Sequence, residues 1–213
     1  MGVQAPLTDF SDYDDYYWKI STEDLNDPAN GWRVRMELPL QNNMQGKVYS
    51  KKVDGFPVEW IHSDVIYKGV SMDVWLKTVS DMERMFKGHD QHTQPIEVMS
   101  RHTDGMPHEV YNRLSMGMFM SERDNLFKAT WEKQDDGSML VRFNSFLSDT
   151  KPTSNDCVRI RFFINQRVIE TPEGLHCRTY QNIDMGGYIP TGLQNLVSGT
   201  TTKEYLCNGN KNL

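Results

Sequence analysis

Apolar and polar residues alternate with a period of two over most of this chain. Trp32, Val34, Met36 and Leu38 are interleaved with Arg33, Arg35 and Glu37, the pattern of a strand with one buried face. Residues 47–53 and 58–68 read as two further strands, after turn-forming Asn42, Asn43 and Gly46 and before Gly69. From Ile96 onward the chain is almost all strand: 96–103, 108–116, 125–133, a run through Met139, Val141 and Phe143, then 157–170 and 175–184. Asp104-Gly105, Asp136-Gly137 and Pro172-Glu173-Gly174 supply tight turns between them. Strands joined so closely pair antiparallel.

Three stretches switch to a helical period. Phe10, Tyr13 and Tyr17 define a short amphipathic helix with acids at its positive end. Met72, Trp75, Leu76, Val79, Met82 and Phe86 define a second, capped by Ser71 and stopped by Gly88. Ile189, Leu193, Leu196 and Val197 define a third, behind the Gly186-Gly187 turn and opened by Pro190. A lone helix after so many strands predicts a lid across a curved sheet. The expected class is α+β, with about nine antiparallel strands in one domain over 30–207. A helical lead-in, 1–29, packs on it and a flexible tail, 208–213, follows it.

Composition narrows the function classes. The formal charge of −6 gives no nucleic-acid footprint. No apolar run is long enough to span a bilayer and the start lacks a secretory pattern, so the expectation is a cytoplasmic protein. Three cysteines, Cys157, Cys177 and Cys207, suit a reducing compartment, and the first two are expected on neighbouring strands as buried thiols.

No catalytic set emerges. There is no Gly-x-Ser-x-Gly, phosphate loop or dinucleotide fingerprint. His89 and His92 follow a helix-stopping glycine with no third ligand, so no metal or other cofactor is expected. Arg123-Asp124 reads as a structural ion pair at a strand start. The informative positions are polar residues among apolar ones: Asn112 shares a face with Val110, Leu114 and Met116, and Arg159 and Arg161 share one with Phe163. Polar groups on an inner face need partners, which a bound head group would supply. The alternative turns the arginines outward, because Val158, Ile160 and Phe162 form an equally apolar face.

Over residues 30–205 the chain resembles the START domain, the lipid-transfer fold related to the steroidogenic acute regulatory protein. The resemblance rests on Ser121-Glu122-Arg123-Asp124, on Cys157-Val158-Arg159, and on the corner from Ile183 through Asp184, Gly186 and Gly187 to Pro190. It implies a helix-grip fold: a curved sheet gripping the last helix around a hydrophobic tunnel that holds one lipid. Two positions of the aromatic cage that holds choline in one branch fall on Asn112 and Asn125, and Phe163 keeps a ring. Arg159 matches a tunnel-facing arginine of the sterol-binding branch.

The expected lipid contacts are Asn112, Leu114, Met116, Phe127, Trp131, Phe143, Arg159, Arg161, Phe163, Tyr180, Leu193, Leu196 and Val197. The expected gate and membrane contact comprises Met118, Phe119, Met120, Tyr188 and Ile189, where flexible thioethers and a ring could enter a bilayer interface. The function implied is carriage of one phospholipid or sterol between membranes by a monomer that touches them transiently. The alternatives are a lipid sensor that moves nothing and an enzyme on a related scaffold.

Overall fold

The computed structural model describes residues 11–85, 96–115, 121–153, 156–187 and 189. Helix α1 spans Ser11–Ile20 and is followed by a short 3-10 turn, Pro28–Asn30. Strands β1 (Arg33–Gln41), β2 (Met44–Lys51) and β3 (Trp60–Lys68) lead to helices α2 (Met72–Ser80) and α3 (Met82–Met85). Then come β4 (Glu97–Arg101), β5 (Pro107–Leu114), β6 (Glu122–Lys133), β7 (Met139–Ser145), β8 (Cys157–Arg159), β9 (Arg161–Thr171) and β10 (Gly174–Asp184).

The second predicted helix is two helices because Asp81 ends one and starts the next. Its backbone leaves helical space at φ −102° and ψ 61°, and its carboxylate accepts from the Arg84 N–H at 3.2 Å. Ser71 caps α2 as expected, accepting from the Val74 N–H at 3.3 Å. Ser71→Ala is therefore expected to cost about 1 kcal/mol, read as a lower urea midpoint at unchanged slope.

One sheet runs in the order β1-β2-β3-β10-β9-β7-β6-β5-β4, with β8 paired to β6. Every pairing is antiparallel except β6–β8. The chain is thus two meanders, β1–β3 and β4–β7, with the β9–β10 hairpin inserted between them. The predicted strand over 157–170 divides at Ile160, whose N–H donates to the Asp124 carbonyl at 2.9 Å. That division separates the two cysteines: Cys157 is on β8 beside β6, and Cys177 is on β10 between β3 and β9, so they are not on neighbouring strands.

Alternation along the strands makes two faces, and both carry a core. On one, Val48, Ile61, Val65, Val110, Phe127, Val141, Val168 and Cys177 pack with Trp75, Val79 and Met82 of α2 and α3. On the other, Trp60, Tyr49, Phe163 and Tyr180 pack with Tyr13, Tyr17 and Ile20 of α1 and with Trp32. The predicted closing helix lies outside the described residues.

Candidate functional site: the α2 face of the sheet

Five of the expected lipid contacts converge on the α2 face. Val110 and Asn112 of β5 are opposite Phe127 and Asn125 of β6, and Leu114 is opposite Arg123. Phe127 meets Phe143 edge-on at 5.7 Å, Phe143 meets Trp131 edge-on at 5.9 Å, and Trp131 reaches Trp75 of α2 at 6.2 Å. Trp131, Phe143 and Phe162 are only half-buried, although they belong to an apolar layer with Val110, Val141 and Val168 at its floor. Large rings that remain partly uncovered on the apolar side of a sheet line a place where more apolar matter can pack.

The polar end of this face is built from amides. Asn112 and Asn125 are directly paired, 7% and 9% exposed, and the Asn125 carbonyl oxygen Oδ1 has no hydrogen-bond partner among the described residues. A buried acceptor left open in this way asks for a donor. Next to them Arg123, also buried, donates from Nε to the Met185 carbonyl and from Nη2 to the Gly186 carbonyl, both at 3.3 Å, and from Nη1 to the Ser121 carbonyl. Arg123 therefore fastens the end of β10 to the start of β6. Gly186 and Gly187 follow at φ 63° and 68°, a left-handed turn that side chains resist. A Cβ on Gly187 would sit 3.2 Å from Arg123 Nη2.

Four expected contacts face the other way. Arg159, Arg161 and Phe163 do share a side of the sheet, but it is the side opposite the α2 face. Arg159 is the register partner of Asp124 and binds it bidentately, Nε–Oδ1 at 2.7 Å and Nη2–Oδ2 at 2.9 Å. Asp124 neighbours Asn125 and so points away from it. The Arg123-Asp124 pair expected from adjacency is replaced by this longer-range one. Arg161 stacks over the Tyr13 ring of α1 at 4.5 Å, and Phe163 packs against Tyr13 and Trp60. Tyr180 packs against Tyr17 and His62, also under α1. The ring on the α2 face is Phe162, stacked on Phe127 at 5.2 Å. Met116, Met118, Phe119, Met120, Tyr188, Leu193, Leu196 and Val197, like His89 and His92, lie outside the described residues. Ile189 is half-buried.

Neither described cysteine offers a thiolate. Burial pushes the Cys177 thiol up to about 12, and burial with the nearby Asp124 charge pushes Cys157 up to about 11, so both are neutral at pH 7.

An open, curved, mostly antiparallel sheet with few helices among the described residues matches the helix-grip class. The family model for the START domain matches residues 23–208, and this chain belongs to that family. Its fold is similar to a STAR-related lipid transfer protein from Xanthomonas axonopodis, at 23% identity, covering 85% of this chain and 97% of that one with a TM-score of 0.67. It is also similar to human StAR-related lipid transfer protein 5 (16% identity, 93% and 91% coverage, TM-score 0.68). Human STARD10 is a third likeness (16% identity, 97% and 81% coverage, TM-score 0.66). No curated protein matches the chain by sequence.

Proposed function

We propose that the α2 face holds a single lipid and that the protein carries it between membranes. The observation that carries this reading is the half-buried Trp131, Phe143 and Phe162 on an otherwise apolar sheet face. Family membership supports it, as do the names of two of the similar structures, which are called lipid transfer proteins. An acyl chain buried there contributes about 0.8 kcal/mol per CH₂, so affinity rests on apolar cover and the amide pair orients the polar end. The ends of β5 and β6 at Leu114 and Glu122 and the turn at Gly186 and Gly187 are assigned to its rim.

Native mass spectrometry of the purified full chain tests the binding step and should show the mass of one lipid per protein. Liposome-to-liposome transfer then tests carriage: acceleration by the protein is the expected result. Stoichiometric binding with no acceleration would make it a sensor. A protein that neither co-purifies with lipid nor extracts it from liposomes would end the reading.

A further inference from the structure

On the α1 face, three neighbouring strands set His62, Tyr180 and Asn165 in one row, His62 paired with Tyr180 and Tyr180 with Asn165. They are 0%, 4% and 1% exposed. The imidazole is 4.0 Å from the Tyr180 ring, with Tyr49 at 5.9 Å and Trp32 at 6.0 Å. Among the described residues no side chain pairs with either His62 nitrogen, which has only the Thr179 backbone beside it, and the Tyr180 hydroxyl and both Asn165 amide atoms have no partner. The flanking row adds Trp60 Nε1 and Asn182 Oδ1. A neutral imidazole always presents one donor and one acceptor, and leaving such groups dry and unpaired is unfavourable.

What keeps them dry is α1 together with Trp32, which lies over both His62 and Tyr180. Tyr17 lies on Tyr180 at 5.6 Å, Tyr13 on Trp60 at 5.8 Å, and Ile20 is fully buried beside them. The ten described residues of α1 are too few to hold a helix together in water by themselves, so its seat on the sheet matters to its stability. Apolar burial of three side chains is thus set against a row of unpaired polar groups, and the balance is easily tipped.

We propose that α1 is a proton-released cover: it is seated while His62 is neutral, and protonation of His62 lifts it from the sheet while the rest of the fold persists. The surrounding charges do not stabilise an imidazolium in place. Asp64, on the same strand, is the one carboxylate that draws a proton toward His62, but it is held by His176 Nε2 at 2.5 Å and faces Arg178 Nε at 3.5 Å. Arg178 and His176 oppose a charge on His62, and the Thr179 backbone favours one but is outweighed by burial. From the segment after α1, Glu23 is committed to Lys51 and to the Trp32 indole. From α1, the titratable neighbour is Tyr17, which itself faces Asp14, Arg142, Arg167 and Arg178. Burial outweighs all of these and holds the imidazole down at about 3.

The sign follows. A seated His62 titrates near 3 and a released one near the ordinary 6.5. The seated state therefore has its full advantage above pH 6.5 and loses about tenfold per pH unit below it, about thirtyfold between pH 7.5 and 5.0.

Hydrogen exchange on the full chain tests this, with rates corrected for the intrinsic pH dependence. The α1 amides should lose about thirtyfold protection between pH 7.5 and 5.0 while β9 and β10 keep theirs, and His62→Gln should remove the loss. Unchanged α1 protection, a parallel loss in β9 and β10, or a loss that survives His62→Gln would each overturn the proposal. Should His62→Gln not fold, NMR of the unmodified protein decides. A ring titration that moves together with the α1 amides supports release, and one near pH 6.5 with those amides unmoved overturns it.

Discussion

Phe143→Asp is expected to lower lipid extraction from liposomes by about a hundredfold or more in a protein that still folds. Phe143 sits between Phe127 and Trp131, half-buried on the α2 face. Without lipid, a carboxylate there can be solvated. Beneath an acyl chain it cannot, and an uncompensated buried charge costs several kcal/mol against about 1.4 kcal/mol per tenfold in affinity. Phe143→Leu, apolar and smaller, should keep most of the extraction. Thermal unfolding of both variants checks the fold, and a folded Phe143→Asp protein that extracts lipid normally would remove this face from the mechanism.

The largest effect on stability is expected from Arg159→Met. Its guanidinium and Asp124 are 3% and 6% exposed, and a third bond runs from Nη2 to the Lys151 carbonyl at 3.0 Å. Arg113 is opposite Asp124 in register but is committed to Glu122 and Asp156. Removing Arg159 alone leaves Asp124 buried and unpaired, at a cost of about 3–5 kcal/mol by urea unfolding. Arg159→Met combined with Asp124→Leu should recover most of that, because replacing both charges by apolar groups removes the desolvation penalty together with the attraction. A single variant that loses less than about 1 kcal/mol would mean that the pair is solvated.

Strand positions, the class, the α2 cap and the family were legible from alternation and from a few local motifs. Which side of the sheet carries the proposed site was not. Period two assigns Arg159, Arg161 and Phe163 to one side and Phe162 to the other, and correctly so. It cannot rank the sides when each has its own helix and its own core. Arg161-Phe162-Phe163-Ile164 offers an aromatic ring to both. The deciding facts are long-range. Asp124 meets Arg159 through a three-residue parallel strand 35 positions further along, and α1 brings Tyr13 and Tyr17 to cover Phe163 and Tyr180. Asn112, by contrast, was readable because an amide among apolar neighbours is conspicuous whichever side it occupies, whereas Asn125 was reached only through the family resemblance.

β10 is the last of the described strands to leave the ribosome, yet it belongs in the middle of the sheet, zipped along its length to β3 and β9. Until it emerges, β3 presents an unpaired inner margin and the two halves of the sheet share no seam. The nascent protein must therefore shield that margin through most of synthesis, and closure rests on contacts more than a hundred positions apart, a topology that folds slowly. A product ending short of Gly174 would leave two open sheet borders, which makes it a candidate for aggregation.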